Sequence, residues 1–158
     1  MLGAVSTAIA TIKTAAEAAK VFRELTRNRK GDALVLLEEI KENSRLCWMV
    51  VERDTDPLKA IPAFQTTEYD RLLRDGYDFN KLSSKRKKIA VSEEILTHNQ
   101  KVLLGKDTAD LVMSIYDSIK DLKSYYRVDP GNQRIDWRRR TLNLHKKIML
   151  LIFHLKGY

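Results

Sequence analysis

The sequence predicts an all-α protein: a single-domain helical bundle of about five main helices spanning residues 1–158, with an irregular, proline-containing middle segment. Three observations lead to this prediction. The chain has only 6 glycines and 3 prolines, so residues that interrupt helices are rare. Apolar residues recur at helical spacing through long segments, and no segment alternates apolar and polar residues as a strand does. A chain of this length can bury a sizeable core as one domain.

The first predicted helix covers residues 2–29. Apolar residues there follow spacings of four and three, which places them on one face of a helix: Val5, Ile9, Ile12, Ala16 and Ala19. The run "RNRKGD" then puts basic residues in the last turn and Gly31 just after the helix. Asp32 is the predicted N-cap of a second helix, over about 33–53.

The helical pattern breaks between about residues 54 and 91. Pro57 and Pro62 exclude one continuous helix there. The run "TTEYDRLLRDG" predicts a short helix that stops at Gly76. Because long unstructured connectors are uncommon in compact domains, we expect one or two short helices here or a mobile functional loop.

Regular patterning returns at Ser92 and predicts a long helix that reaches about Tyr126. Gly105 marks either a kink in this helix or a break between two helices. The run "VDPGN" is typical of a tight turn. The last predicted helix covers about 135–156, and its apolar stripe consists of Leu144, Ile148, Leu151 and Leu155.

Cysteine content and the apolar N-terminal run favour a cytoplasmic protein without a membrane segment. Cys47 is the only cysteine, so no internal disulfide can form, which suits a reducing compartment. Lys13, Glu17 and Lys20 interrupt the apolar run, and no basic segment precedes it. The apolar run therefore predicts an amphipathic helix.

Positive charge is concentrated in the second half of the chain. The formal net charge is +8, with −1 in residues 1–80 and +9 in residues 81–158. Two clusters carry most of it: Lys81 with Lys85, Arg86, Lys87 and Lys88, and Arg134 with Arg138, Arg139, Arg140, Lys146 and Lys147. Such asymmetry predicts an anionic partner, most often nucleic acid; charge that only maintains solubility is the alternative.

Familiar nucleotide, metal and nucleophile motifs are missing from the sequence. It contains neither GxxxxGK[ST] nor GxGxxG, and one cysteine with three scattered histidines gives no zinc spacing. No serine or cysteine lies in a recognisable nucleophile motif. The sequence therefore predicts no metal and no cofactor.

Arg138 and His145 are the candidate catalytic pair. Seven residues apart on one helix, they face nearly the same way. An arginine can hold phosphate oxygens with two parallel hydrogen bonds, and a histidine near its ordinary pKa can transfer protons. RNA cleavage by internal 2′-hydroxyl attack needs only these two groups and no metal.

An Arg followed after four to six residues by His, near the start of the last helix of an all-α domain, resembles the HEPN family. The resemblance implies a metal-independent ribonuclease of a bacterial or phage toxin or defence system. It also implies a homodimer in which the Arg and His pair meets its copy in a composite site. Arg138, Arg139 and Arg140 all fit the family spacing to His145, and the same-face argument favours Arg138.

Two other functions fit the same residues. The first is a non-catalytic helical module that binds nucleic acid, RNA in preference to DNA, through Arg139, Arg140, Lys146 and Lys147 together with Lys85, Arg86, Lys87 and Lys88. The second is a helical scaffold or antitoxin-like protein whose basic half contacts an acidic protein. In both, Arg138 is a surface charge and His145 is a histidine at the edge of the core.

Overall fold

The computed structural model describes residues 12–84, 88–90 and 98–157 of the chain. These residues form an all-α bundle, as predicted from the sequence. Five of its helices have eight residues or more. The α-helices in chain order are α1 (Ala15–Thr26), α2 (Gly31–Arg53), α3 (Pro57–Ala60), α4 (Thr67–Arg74), α5 (His98–Lys101), α6 (Thr108–Val128) and α7 (Trp137–Lys156), with 3-10 helices at Ile61–Ala63 and Phe79–Leu82.

The first two helices meet at a junction that differs slightly from the prediction. Helix α1 begins after Thr14, whose side chain accepts a hydrogen bond from the amide of Glu17 at 3.2 Å. Helix α2 begins at Gly31, two residues before the predicted start. Asp32 therefore lies in its first turn, and the N-cap is Lys30. Residues 1–11 of the predicted first helix lie outside the described residues.

The middle segment contains two short α-helices, within the predicted number, and two 3-10 helices in addition. Buried polar groups of α2 fix it in place. Asn43 donates to the Gln65 carbonyl and accepts from the Gln65 amide, both at 2.8 Å. Glu39 is only 5% exposed. Its carboxylate accepts from the amides of Glu68 and Tyr69 at the start of α4, at 2.7 and 3.1 Å. These contacts explain why a proline-containing segment packs as part of the bundle.

Glu39 also accepts a hydrogen bond from the hydroxyl of a buried tyrosine across the core. Tyr116 of α6 donates to the carboxylate at 2.9 Å. The ring of Tyr116 stacks on Tyr69 with centroids 4.1 Å apart. One carboxylate therefore connects α2, α4 and α6 within the core.

Helices α5 and α6 are separate, so Gly105 marks a break rather than a kink. Gly105 has a left-handed φ of 76°, a conformation that glycine adopts without strain. Helix α6 then begins with a capping box between Asp107 and Asp110. Ser92, the predicted start of the long helix, lies outside the described residues.

Helix α7 is the central helix of the bundle. It packs against α2 and α6 along its length and also contacts α1, α3 and α5. All four residues of its predicted stripe are buried, and every residue from Leu150 to Leu155 is buried as well. The segment from Leu150 to Leu155 is thus enclosed on all sides, whereas Arg138, Arg139 and Arg140 in the first turn are exposed.

Among the described residues, no helix is both long enough and apolar enough to cross a membrane.

We predict that Glu39→Ala lowers the free energy of unfolding by about 3 kcal/mol, because two helix-start amides and the Tyr116 hydroxyl lose their buried acceptor. Urea denaturation measures the change. Glu38→Ala is the matched control, because among the described residues Glu38 pairs only with Lys41, at the surface, and should cost less than about 0.5 kcal/mol. Equal effects of the two substitutions would contradict this role for Glu39.

Candidate nucleic-acid interface

The basic residues of α7 begin at its first turn. The Asp136 side chain caps the helix by accepting from the Arg139 amide at 3.0 Å. Trp137 packs against the core, so the helix is anchored at this end. No acidic residue lies in the first turn of α7, although the helix dipole favours negative charge there. The Asp136 carboxylate at the N-cap supplies negative charge there, next to the three arginines.

Arg138 forms an ion pair with the end of α2. Its Nη1 lies 2.8 Å from Oδ1 of Asp54. Asp54 is the C-cap of α2 and has a left-handed φ of 55°. Both side chains are exposed, at 45% for Arg138 and 87% for Asp54, so the pair contributes little to stability.

His145 faces the core. It is 8% exposed, and its ring meets the ring of Trp48 edge-on with centroids 4.5 Å apart. Burial lowers its pKa to about 4, with a smaller contribution from the charge of Lys146. The imidazole is therefore neutral at pH 7. Its Nδ1 has no hydrogen-bond partner within the described part of the chain.

The predicted catalytic pair is therefore divided between two environments in the described chain. Arg138 is bonded to Asp54 at the surface, and His145 packs on Trp48 inside the bundle. A proton-transfer role would require the imidazole to leave this contact and regain an ordinary pKa.

Arg140 and Lys147 lie at a cleft between α6 and α7. The cleft has a volume of about 170 Å³ and is lined by Gln100, Ser118, Asp121, Leu122, Arg140, Asn143 and Lys147. The Arg140 guanidinium lies over the ring of Tyr125, 5.0 Å from its centroid. Lys147 donates to Oγ of Ser118 at 2.9 Å. Both cations thus already have partners on α6.

Burial and nearby carboxylates act in opposite directions on Lys147. Desolvation of the half-buried amine lowers its pKa, whereas the charges of Asp117 and Asp121 raise it. Because these aspartates line the neighbouring surface, this side of α7 is less favourable for phosphate than the side that carries Arg139 and Lys146, about 100° around the helix.

In the basic cluster that begins at Arg134, the residues Arg134, Arg139 and Lys146 are exposed and form no ion pair within residues 12–84, 88–90 and 98–157, and they lack the cation–π contact of Arg140. Arg139 and Lys146 are seven residues apart and share one side of α7. We call these three residues the outward basic stripe. The sequence contained a signal for it, since positions 139 and 146 have the same helical spacing as positions 138 and 145.

The other basic cluster, which runs from Lys81 to Lys88, is described only in part. Lys88 is exposed and pairs as an isolated antiparallel bridge with Asp107 at the start of α6. Lys85, Arg86 and Lys87 lie outside the described residues.

His154 adds no catalytic group to this surface. His154 is 1% exposed, and its Nε2 lies 2.7 Å from Oγ1 of Thr108, which joins α7 to the start of α6. Across the described part of the chain, no group of three or more histidine, cysteine, aspartate or glutamate side chains could hold a metal ion.

Comparison of the chain with protein-family models, curated proteins and solved structures found no match. The resemblance to the HEPN family stays a prediction.

The burial of His145 predicts a specific pH dependence of stability. The unfolded imidazole binds a proton below about pH 6.5, and the folded one only below about pH 4. Between these values the unfolded state binds more protons, so stability falls as the pH falls. We expect His145 to account for a loss of about 2 kcal/mol between pH 7 and pH 5.

Urea denaturation at the two pH values measures this loss. The control is His145→Leu, which removes the titrating group but keeps an apolar side chain in the site. The variant should lose about 2 kcal/mol less than the parent over the same interval. The same pH dependence in both proteins would show that the imidazole is not buried as described.

Proposed function

We propose that the protein is a non-catalytic helical module that binds the phosphate backbone of nucleic acid through the outward basic stripe. The observation that carries the proposal is that Arg139 and Lys146 are exposed on one side of α7 without ion-pair partners among the described residues. RNA is the first nucleic acid to test, because the resemblance to a ribonuclease family implies it.

The chemistry of the stripe suits phosphate. An arginine guanidinium binds two phosphate oxygens in a planar fork, and a lysine ammonium acts as a point charge. Seven residues of helix separate Arg139 from Lys146 by about 10 Å along the axis. The two side chains therefore engage different phosphates, and Arg134, which precedes the helix, adds a third cation near its start.

Electrostatics of the whole chain supports the same function. The net charge of residues 81–158 is +9, and three arginines lie at the start of α7, where the helix dipole is also positive. A phosphate near this helix end would interact favourably with the arginines and the dipole, in addition to the Asp136 carboxylate that caps the helix. Binding that consists of phosphate contacts releases counterions and therefore weakens steeply with salt.

The burial of His145, the predicted proton-transfer residue, favours binding over catalysis. A general acid or base needs a pKa near the working pH and access to the substrate. His145 has a pKa of about 4 and is 8% exposed. The ribonuclease function predicted from the sequence stays a prediction and depends on a rearrangement that frees this imidazole.

We predict that Arg139→Glu with Lys146→Glu weakens binding to single-stranded RNA at least about tenfold near 0.1 M salt. The slope of log affinity against log salt should also fall by about 1.4, because two phosphate contacts are lost. Fluorescence anisotropy of a labelled oligonucleotide across a salt series measures both quantities.

Lys30→Glu with Arg74→Glu is the matched control. It makes the same change in net charge at two exposed residues of the first half of the chain, neither of which is ion-paired within the described residues. Equal losses in the two double variants would mean that net charge alone drives binding. Binding that does not change with salt would exclude a phosphate-binding surface.

A separate experiment distinguishes the ribonuclease. RNA is incubated with the protein in chelator, and cleavage is compared between the parent and His145→Ala. The binding module predicts no cleavage by either protein. Cleavage by the parent that His145→Ala abolishes without loss of RNA affinity would establish the enzyme instead.

The scaffold alternative has its own signature. A helical partner of an acidic protein should purify with that protein in a stoichiometric complex and without nucleic acid. In that case the outward basic stripe would contact carboxylates rather than phosphates.

A further inference from the structure

A second cleft lies between α1 and α2, away from the aspartates and basic residues of the α6–α7 cleft. It has a volume of about 240 Å³ and is lined by Ala15, Ala16, Ala18, Ala19 and Phe22 of α1 and by Lys41, Ser44, Arg45 and Trp48 of α2. The α1 wall is apolar, because four of its five residues are alanines.

Two side chains that line this cleft are buried polar groups without partners. Ser44 is 1% exposed and Trp48 is 5% exposed. Neither Oγ of Ser44 nor Nε1 of Trp48 has a hydrogen-bond partner within the described chain. Buried polar atoms in folded proteins are nearly always hydrogen-bonded. Two such atoms without a partner, on side chains that line one cleft, therefore indicate a missing partner.

The hydrogen-bonding capacity of these two side chains restricts the chemical class of the partner. An indole N–H is a donor only, and a serine hydroxyl can donate as well as accept. The partner must therefore present at least one acceptor atom, and a group with two oxygens can satisfy both side chains. The ring of Trp48 also makes a T-shaped contact with the ring of His145, with centroids 4.5 Å apart, which restricts the motion of the indole.

The charges around the cleft specify the sign of that acceptor group. Among the described residues that line the cleft, Lys41 and Arg45 are the charged ones, and both are positive. They pair with Glu38 and Glu42 at 3.3 and 3.4 Å, each one helical turn away on α2. Partly exposed pairs of this kind are weak, so either cation can turn to a bound anion. A carboxylate fits two donors and a cation.

The volume of the cleft sets the size of the ligand. A volume of about 240 Å³ equals roughly eight water molecules of liquid. It therefore suits a ligand of roughly eight to ten non-hydrogen atoms, smaller than the drug-sized ligands that fill larger pockets. The apolar wall suits an aliphatic or aromatic tail.

We propose that the α1–α2 cleft binds a small amphiphilic carboxylate. Its tail packs on the alanines and Phe22, its oxygens accept from Trp48 Nε1 and the Ser44 hydroxyl, and its charge pairs with Lys41 or Arg45. This site is independent of the outward basic stripe and of the proposed nucleic-acid binding, so either can fail without the other.

The indole N–H of Trp48 provides a direct probe of the site. The chain has two tryptophans, so a ¹⁵N–¹H spectrum of the full chain contains two indole resonances, and Trp48→Phe assigns them. Sodium octanoate should shift the Trp48 indole proton downfield with saturation and a Kd on the order of 1 mM. The Trp137 resonance should stay in place.

Three matched measurements test the chemistry. 1-Octanol, which has the same tail but no charge, should bind at least about fivefold more weakly than octanoate. Lys41→Gln should remove part of this preference while leaving octanol binding unchanged. Ala19→Leu, which fills the cleft from α1, should abolish the shift, and its unfolding transition measured by circular dichroism confirms that the variant is folded.

The proposal is overturned if octanoate gives no saturable shift of the Trp48 resonance, because the ligand would then not reach the indole N–H. It is also overturned if Ala19→Leu is folded and still responds. A Trp48 resonance that moves with protein concentration in the absence of octanoate would assign the cleft to a second copy of the chain.

Discussion

Burial of the second half of α7 is the constraint on which the rest of the structure depends. Every residue from Leu150 to Leu155 is buried, and the helix contacts α1, α2, α3, α5 and α6. A helix that is apolar on all sides must lie at the centre of a bundle. Its rotation about its own axis is then fixed, because the surrounding helices hold it. The orientation of every residue in the basic first half follows from that rotation.

The fixed rotation separates two chemical properties that adjoin in the sequence. It turns His145 towards Trp48, where desolvation keeps the imidazole neutral, and it leaves Arg139 and Lys146 facing outwards. Buried neutral histidine contributes to packing, whereas exposed unpaired cations can contribute to binding. One helix therefore serves as the centre of the core at its C-terminal end and as the candidate phosphate-binding surface at its N-terminal end.

Much of the fold could be predicted from the sequence, because helical periodicity and capping are local. The stripe of Leu144, Ile148, Leu151 and Leu155 was predicted and is buried, and the break at Gly105 was one of two stated alternatives. The structure of the middle segment was harder to predict, because it depends on hydrogen bonds with Glu39 and Asn43, which lie 22 to 30 residues away in the sequence. Those two residues look like ordinary surface polar residues of α2.

The site was harder to predict, for a geometric reason. Helical spacing places Arg138 and His145 on the same side, but it does not say how deep that side lies at each turn. Position 138 lies at the edge of the bundle, where a long side chain reaches Asp54, and position 145 lies two turns further in. Depth along a helix depends on the neighbouring helices, and sequence periodicity contains no information about it.

The most direct test of this account is a pH titration of the His145 ring by NMR, with the Cε1–Hε1 resonance assigned by its loss in His145→Leu. The account predicts that this resonance keeps the chemical shift of a neutral imidazole from pH 8 to below pH 5, because burial lowers the pKa to about 4. A midpoint near 6.5, the ordinary value for an exposed histidine, would contradict it. The imidazole would then be open to solvent and to substrate.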